Sequence, residues 1–183
     1  MPGLNTTNMK KTMLIWTMVF LGTGLMAAQT QPDKNTLREE KATHAFEKTK
    51  ALIGSAQFAF EADRLISSTG FSKSLVTTPN SIRINGDQAD IYLPYYGELR
   101  ANTPYQADGG IKYVGQVQEY EVEYRDHKRK AVIRFSIDRG IESHNFIMSV
   151  GKDGSTRVTV ISGGRTSISY YGITRALEES TGF

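Results

Sequence analysis

The chain has 183 residues, 39% of them hydrophobic and 22% charged, which suits one domain with a substantial core and excludes a disordered or collagen-like protein. Cysteine is absent, which excludes disulfides, cysteine nucleophiles, cysteine-ligated zinc and lipid attachment through an N-terminal cysteine. Lys10 and Lys11 lie in a segment that we predict is removed. The remaining chain carries 20 basic and 19 acidic residues, so it lacks the positive charge of a nucleic-acid-binding protein.

The N-terminal segment is typical of a secretory signal peptide. Lys10 and Lys11 form a short basic region, residues 13–21 are apolar, and small residues lead up to Ala28. These are the three parts of such a signal. The apolar run is shorter than the roughly 20 residues that a membrane-spanning helix needs, so an uncleaved membrane anchor is the less favoured alternative.

We therefore predict that residues 1–28 are a signal peptide, cleaved after Ala27 or Ala28, with Met1 or Met9 as the translation start. The mature protein is then expected in the periplasm, without stable membrane insertion. Because the chain lacks cysteine, it is not expected to be a lipoprotein.

The mature chain is predicted to begin with one helix. Residues 29–35 are polar and are predicted to form a linker. Thr36 and Glu39 then fit a capping box, in which each side chain bonds the backbone N–H of the other residue. Apolar residues recur at three- and four-residue steps up to Gly54, a residue type that often ends helices in the left-handed conformation. This pattern predicts a helix over residues 37–53 that plugs one end or covers one face of the domain.

From Gln57 onward apolar residues alternate with polar ones, which predicts β-strands. The Asn-Gly turn at Gly86 is typical of a hairpin, and three further turns give registers that oppose apolar to apolar and acidic to basic residues. The predicted cross-strand pairs are Tyr124–Ala131, Val122–Ile133, Tyr120–Phe135, Glu121–Arg134, Met148–Val158, Phe146–Val160, Val160–Ile168 and Val158–Tyr170. Seven to nine short strands are expected. Residues 36–183 are thus predicted to be a single, mainly β domain, an antiparallel meander that forms a barrel or half-barrel.

Recognisable catalytic motifs are absent from the sequence. His44, His127 and His144 have no second metal-type ligand at a zinc-site spacing, and we predict that they lie on the surface. The basic run at residues 127–130 is predicted to be a solvated turn, with an anionic partner as the alternative. We therefore assign no catalytic residue, no metal ligand and no cofactor.

The segment around Tyr95 is the candidate ligand- or partner-binding site. Pro94 cannot donate a hydrogen bond to a central strand, so the strand must bend or lie at an edge there. Tyrosine combines an apolar ring with a polar tip, which suits a partly hydrated site. The predicted site residues are Tyr92, Tyr95, Tyr96, Tyr105 and Asp108. The alternative is that these tyrosines simply pack across the end of the barrel.

Three motifs resemble those of a known family. They are DIYLPYYG at residues 90–97, DGGIKY at residues 108–113 and SYYG at residues 169–172. Together they resemble the family called domain of unknown function 4251, whose members are exported envelope proteins of Gram-negative bacteria, many of them lipoproteins. The likeness covers residues 46–172, and the absence of cysteine departs from the lipoprotein members. The resemblance implies a β-rich, lipocalin-like fold and no particular activity, substrate or catalytic residue.

Three functions remain open on the sequence alone. The favoured one is a non-catalytic binding or interaction domain of the periplasm, whose partner is an apolar small molecule or another envelope protein. The second is a hydrolase with an unrecognised Asp/Glu/His site, which a histidine within hydrogen-bond reach of an acidic group would indicate. The third is a purely structural envelope protein.

Overall fold

The computed structural model describes residues 33–98, 109–138 and 142–177. Within them, helix α1 (Lys34–Gly54) is followed by ten antiparallel strands that form a curled half-barrel sheet. The strands are β1 (Gln57–Ser67), β2 (Ser72–Ser74), β3 (Ser81–Asn85), β4 (Gln88–Leu93), β5 (Ile111–Gln116), β6 (Gln118–Arg125), β7 (Lys130–Asp138), β8 (Ser143–Gly151), β9 (Ser155–Ser162) and β10 (Arg165–Ala176). Their order is β5-β4-β3-β1-β10-β9-β8-β7-β6, with β2 paired to β1. The predicted mainly β half-barrel with one N-terminal helix is confirmed.

Helix α1 is longer than predicted. It starts three residues before residues 37–53 and includes Gly54, so the last two residues of the predicted linker are helical. Asp33, a residue type favoured at the N-cap, precedes the first helical residue. The left-handed residue after the helix is Ala56, with φ 51°, rather than Gly54. The predicted signal peptide and linker residues 29–32 lie outside the described residues.

The inward-facing residues of the strands form one apolar core, because alternate residues of a strand point to the same side of the sheet. Its largest fully buried members include Phe58, Phe60, Phe146, Leu65, Ile82, Ile84, Ile91, Leu93 and Tyr170. Helix α1 contributes Ile53 to this core. It also contacts the turn between β8 and β9, where the Thr49 hydroxyl donates to the carbonyl of Lys152 at 3.0 Å.

The first two of the three C-terminal hairpins have the predicted registers next to their turns. In the third, a register shift between Arg165 and Ile168 separates the predicted pairs from the turn. Met148 pairs with Val158, and Val160 with Ile168. In the hairpin of β6 and β7, Val122↔Ile133 and Glu121↔Arg134 are also found, but a β-bulge between Gln118 and Glu121 interrupts the regular pairing there.

Tyr120 lies within this bulge and still stacks on Phe135, with the ring centroids 6.4 Å apart. Phe135 in turn stacks on Phe146, with a centroid distance of 4.7 Å. The aromatic contact predicted between β6 and β7 is therefore present although the two residues are not regular ladder partners.

Replacement of Phe135 by alanine should destabilise the protein by about 3–5 kcal/mol, because it removes a buried ring from this stack. Replacement of the exposed Glu121 by alanine is the control and should change the free energy of unfolding by no more than about 0.5 kcal/mol. Denaturant-induced unfolding of both variants measures the difference. Equally small effects at the two positions would reject the inward placement of the Phe135 ring.

Candidate binding site at one end of the sheet

After β4 the chain crosses one end of the sheet, and residues 94–98 are here called the crossing segment. The hydroxyl of Tyr170, on β10, donates to the carbonyl of Pro94 at 2.9 Å. The backbone N–H of Thr166 donates to the carbonyl of Glu98 at 3.0 Å, and the Glu98 N–H donates to the Thr166 hydroxyl at 3.0 Å. Since β3 and β1 lie between β4 and β10 in the sheet order, the crossing segment spans the ends of both strands.

Tyr95 anchors the crossing segment. Its ring is half-buried against the core, and its hydroxyl donates to the carbonyl of Thr166 at 2.8 Å. Gly97 is required for this packing, because a Cβ there would overlap the Tyr95 hydroxyl and lie 2.7 Å from the Thr166 hydroxyl oxygen. Burial raises the pKa of the Tyr170 hydroxyl above its usual value, so this group stays protonated and able to donate.

A buried polar cluster lies beside Tyr95, formed by Glu142, His144, Ser162 and Arg165. The Arg165 guanidinium binds both oxygens of the Glu142 carboxylate, with Nε at 2.6 Å and Nη2 at 3.2 Å. Its Nη1 donates to the carbonyl of Gly109 at 2.9 Å, and its Cζ lies 5.0 Å from the centre of the Tyr95 ring. Arg165 is only 2% exposed, so this bidentate pair is shielded from water.

The prediction that His144 lies on the surface is wrong, because the structure buries it completely. Its Nδ1 lies 2.5 Å from the Ser162 hydroxyl oxygen, and its Nε2 lies 3.6 Å from Glu142 Oε2. The sequence did carry a signal for this, since His144 has the same strand parity as the apolar residues Phe146 and Met148. His44 and His127 are exposed, as predicted.

An aromatic patch is exposed at the crossing segment, formed by Tyr96 of that segment together with Phe71 and Lys73. Phe71 is 50% and Tyr96 39% exposed, and their ring centroids are 6.5 Å apart. The Lys73 ammonium lies 3.8 Å from the centre of the Tyr96 ring, a cation–π contact. Two large rings and a positive charge are therefore available at this end of the sheet.

The sequence-predicted site residues have different environments. Tyr95 is half-buried and Tyr96 is exposed, as alternation along the chain would give. Tyr92 is also exposed but projects from β4, where Lys112 lies 5.2 Å from its ring centre. Tyr105 and Asp108 lie outside the described residues. Sequence reasoning missed Arg165 and Glu142, whose contact joins positions 23 residues apart.

The polar cluster contains the residue types of a nucleophile, a base and an acid, but its geometry restricts their use. Ser162 is 7% exposed and His144 is inaccessible to solvent. Both oxygens of Glu142 are bound by Arg165, so the carboxylate is already neutralised by a cation. Among the described residues there is no group of three or more His, Asp or Glu side chains that could hold a metal ion.

In the part of the chain that the structure describes, no helix is both long and apolar enough to cross a membrane.

Comparison with known proteins identifies the family. The model of the family described as "Domain of unknown function (DUF4251)" matches residues 40–174. The fold is similar to the 1.95 Å crystal structure of a DUF4251 family protein from Bacteroides eggerthii DSM 20697, with a TM-score of 0.58 and 14% sequence identity over 75% of this chain and 91% of that chain. At that identity the likeness concerns the fold alone. No curated protein matches the sequence. Because the family model covers well over half of its 183 residues, the chain belongs to the DUF4251 family, as the three motifs predicted.

Proposed function

We propose that this chain is an exported, non-catalytic binding domain whose partner is another protein of the bacterial envelope. The observation that carries the proposal is the aromatic patch of Phe71, Lys73 and Tyr96, which exposes two neighbouring rings at the crossing segment. Aromatic side chains are enriched in protein interfaces, where they bury a large area at little cost in conformational entropy. Lys73 adds a positive charge that an acidic group of the partner would neutralise.

Within this proposal the site residues have separate roles. Tyr96 and Tyr92 contact the partner, and Tyr95 holds the crossing segment in place through Thr166. Tyr105 and Asp108 lie outside the described residues and are kept as proposed partner contacts on the sequence pattern alone. A surface site is favoured over an apolar small molecule in the interior, because the inward-facing residues of the described strands pack on one another as a single cluster.

Site-specific photo-crosslinking tests the patch. A benzophenone amino acid at position 96 should give a discrete adduct with a second envelope protein in intact cells. Tyr124 is the matched control, since it is a tyrosine of nearly equal exposure, 40% against 39%, at the other end of the sheet. The absence of an adduct at position 96, or the same adducts at both positions, would contradict the proposal.

Export is tested separately by cell fractionation. The mature protein should appear in the periplasmic fraction, and its N-terminal sequence should begin at Ala28 or Gln29, because the basic, apolar and small-residue regions form a cleavable signal. Recovery of a membrane-bound form that retains residues 13–25 would show that the segment is an anchor instead.

A second candidate function is hydrolysis, favoured by the 2.5 Å contact between His144 and Ser162 and the nearby Glu142. On the leading proposal, a fluorophosphonate probe should not label the protein, since Ser162 is buried and Glu142 is paired with Arg165. Labelling that is lost when Ser162 is replaced by alanine would favour the hydrolase.

A further inference from the structure

Helix α1 closes the end of the sheet opposite the crossing segment. The Glu39 carboxylate forms an ion pair with Arg129, in the turn between β6 and β7. The Lys50 ammonium lies 2.5 Å from the Asp126 carboxylate in the same turn. The helix also contacts the turn between β8 and β9 through Thr49, as described above. Three separate elements therefore meet at this end of the molecule.

A cleft of about 330 Å³ lies between these three elements. Its lining residues are Asn35, Arg38, Glu39, Ala42, Arg129 and Lys152. Arg38 comes from helix α1, Arg129 from the first turn and Lys152 from the second. The lining thus contains three cations and one carboxylate, which leaves a net charge of +2 facing a single cleft.

Three acidic groups at this end of the molecule are bound to other partners. Glu47 and Asp126 both pair with Lys50. The Ser155 hydroxyl holds the pKa of the Asp153 carboxyl below its usual value, with a smaller contribution from the charge of Lys152.

The charge of Arg129 is compensated by its ion pair with Glu39, which leaves the charges of Arg38 and Lys152. Arg38 and Lys152 form no ion pair with any of the described residues. Two positive charges that form no ion pair are therefore held beside one cleft.

The end of the turn between β6 and β7 positions Arg129. Arg129 has φ 48° and ψ 52°, the left-handed conformation that glycine and asparagine adopt most easily. It follows the 3-10 turn Asp126–Lys128, and its N–H donates to the carbonyl of Asp126 at 3.0 Å. The left-handed conformation thus ends the 3-10 turn at the residue whose guanidinium lines the cleft.

We propose that this cleft binds a phosphate-type oxyanion through Arg38, Arg129 and Lys152. Arginine presents a planar set of N–H donors that matches the spacing of phosphate oxygens, and lysine adds a point charge. The neighbouring His127, Lys128 and Lys130 are exposed and extend the positive field beyond the cleft. The phosphate-type group is either a free anion or the headgroup of an acidic lipid, and the two sources give the same contacts.

Titration with inorganic phosphate tests the site. The protein is purified in the form that accumulates in cells. The double variant Arg38→Gln/Lys152→Gln should bind phosphate at least about tenfold more weakly than the wild type, because it removes both unpaired cations of the cleft. The matched control is Lys41→Gln/Lys48→Gln, which removes the same charge from exposed positions of the same helix that do not line the cleft. The control should bind as the wild type does. Circular dichroism and melting temperature verify that each variant is folded.

Vesicle sedimentation separates the two sources of the anion. If the ligand is a headgroup, the wild type should sediment with vesicles of phosphatidylglycerol and phosphatidylcholine but not with phosphatidylcholine alone, and the cleft variant should remain in solution. If only inorganic phosphate binds, the ligand is a free anion. Absence of binding in both assays, or equal loss of binding in the cleft and control variants, would overturn the proposal.

Discussion

Replacement of Gly172 by alanine should destabilise the protein by about 3 kcal/mol, the upper part of the range for overpacking. A Cβ at this position would overlap the carbonyl oxygen of Glu61 and would lie 2.7 Å from the Cα of Ala62. Both obstacles are backbone atoms of the neighbouring strand β1, so no side chain can move aside to make room. The register between β1 and β10 also shifts between Ala62 and Arg64. The new methyl group would therefore lie next to this irregularity in the strand pairing.

Gly163 is the matched control for this substitution. A Cβ at Gly163, in the turn that leads into β10, would meet no atom within 4 Å. Gly163→Ala should therefore change the free energy of unfolding by no more than about 0.5 kcal/mol. Urea-induced unfolding compares the two variants. A Gly172→Ala protein as stable as Gly163→Ala would show that β1 and β10 do not approach each other closely there.

Replacement of Arg165 by methionine should lower the free energy of unfolding by about 3–5 kcal/mol, the range for breaking a buried ion pair by removing one partner. The Arg165 and Glu142 side chains are 1% and 10% exposed, so the substitution leaves a shielded carboxylate without its cation. It also removes the donor to the Gly109 carbonyl and the cation beside the Tyr95 ring. Denaturant-induced unfolding at neutral pH measures the loss.

Two further variants identify the cause of that loss. Arg134→Met breaks an exposed pair with Glu123, whose side chains are 41% and 48% exposed, and should cost no more than about 1 kcal/mol. Adding Glu142→Gln to Arg165→Met removes the unpaired charge and should restore at least about 1 kcal/mol. If Arg165→Met costs no more than Arg134→Met, the cluster is not a buried ionic anchor of this end of the sheet.

The two YYG motifs, at residues 95–97 and 170–172, were predictable only in part from the sequence pattern. Alternation predicts that Tyr95 and Tyr96 point to opposite sides, and their exposures follow it. It does not predict that Gly97 and Gly172 are both needed for close approach. Gly97 lies close to the Tyr95 side chain, and Gly172 lies close to the backbone of β1. The first contact is local, but the second depends on which strands become neighbours.

The polar cluster could not be derived in full from the sequence. The inward position of His144 follows from its parity with Phe146, so that part was predictable. The contact between Arg165 and Glu142 was not, because Arg165 follows a Gly-Gly turn and resembles an exposed turn residue. Its burial depends on Gly109 and on the Tyr95 ring, which come from other parts of the chain.

The sequence by itself determined the fold class, the family and individual cross-strand pairs of the C-terminal hairpins, such as Met148 opposite Val158. These depend on alternation and turn residues within short stretches of chain, and a slip of one residue would turn every apolar side chain to the wrong face. Only the tertiary structure decided that β1 lies between β3 and β10, that residues 94–98 cross the sheet end, and that Arg165 is buried. Those features require contacts between distant segments, for which a single sequence offers many alternatives with similar local patterns.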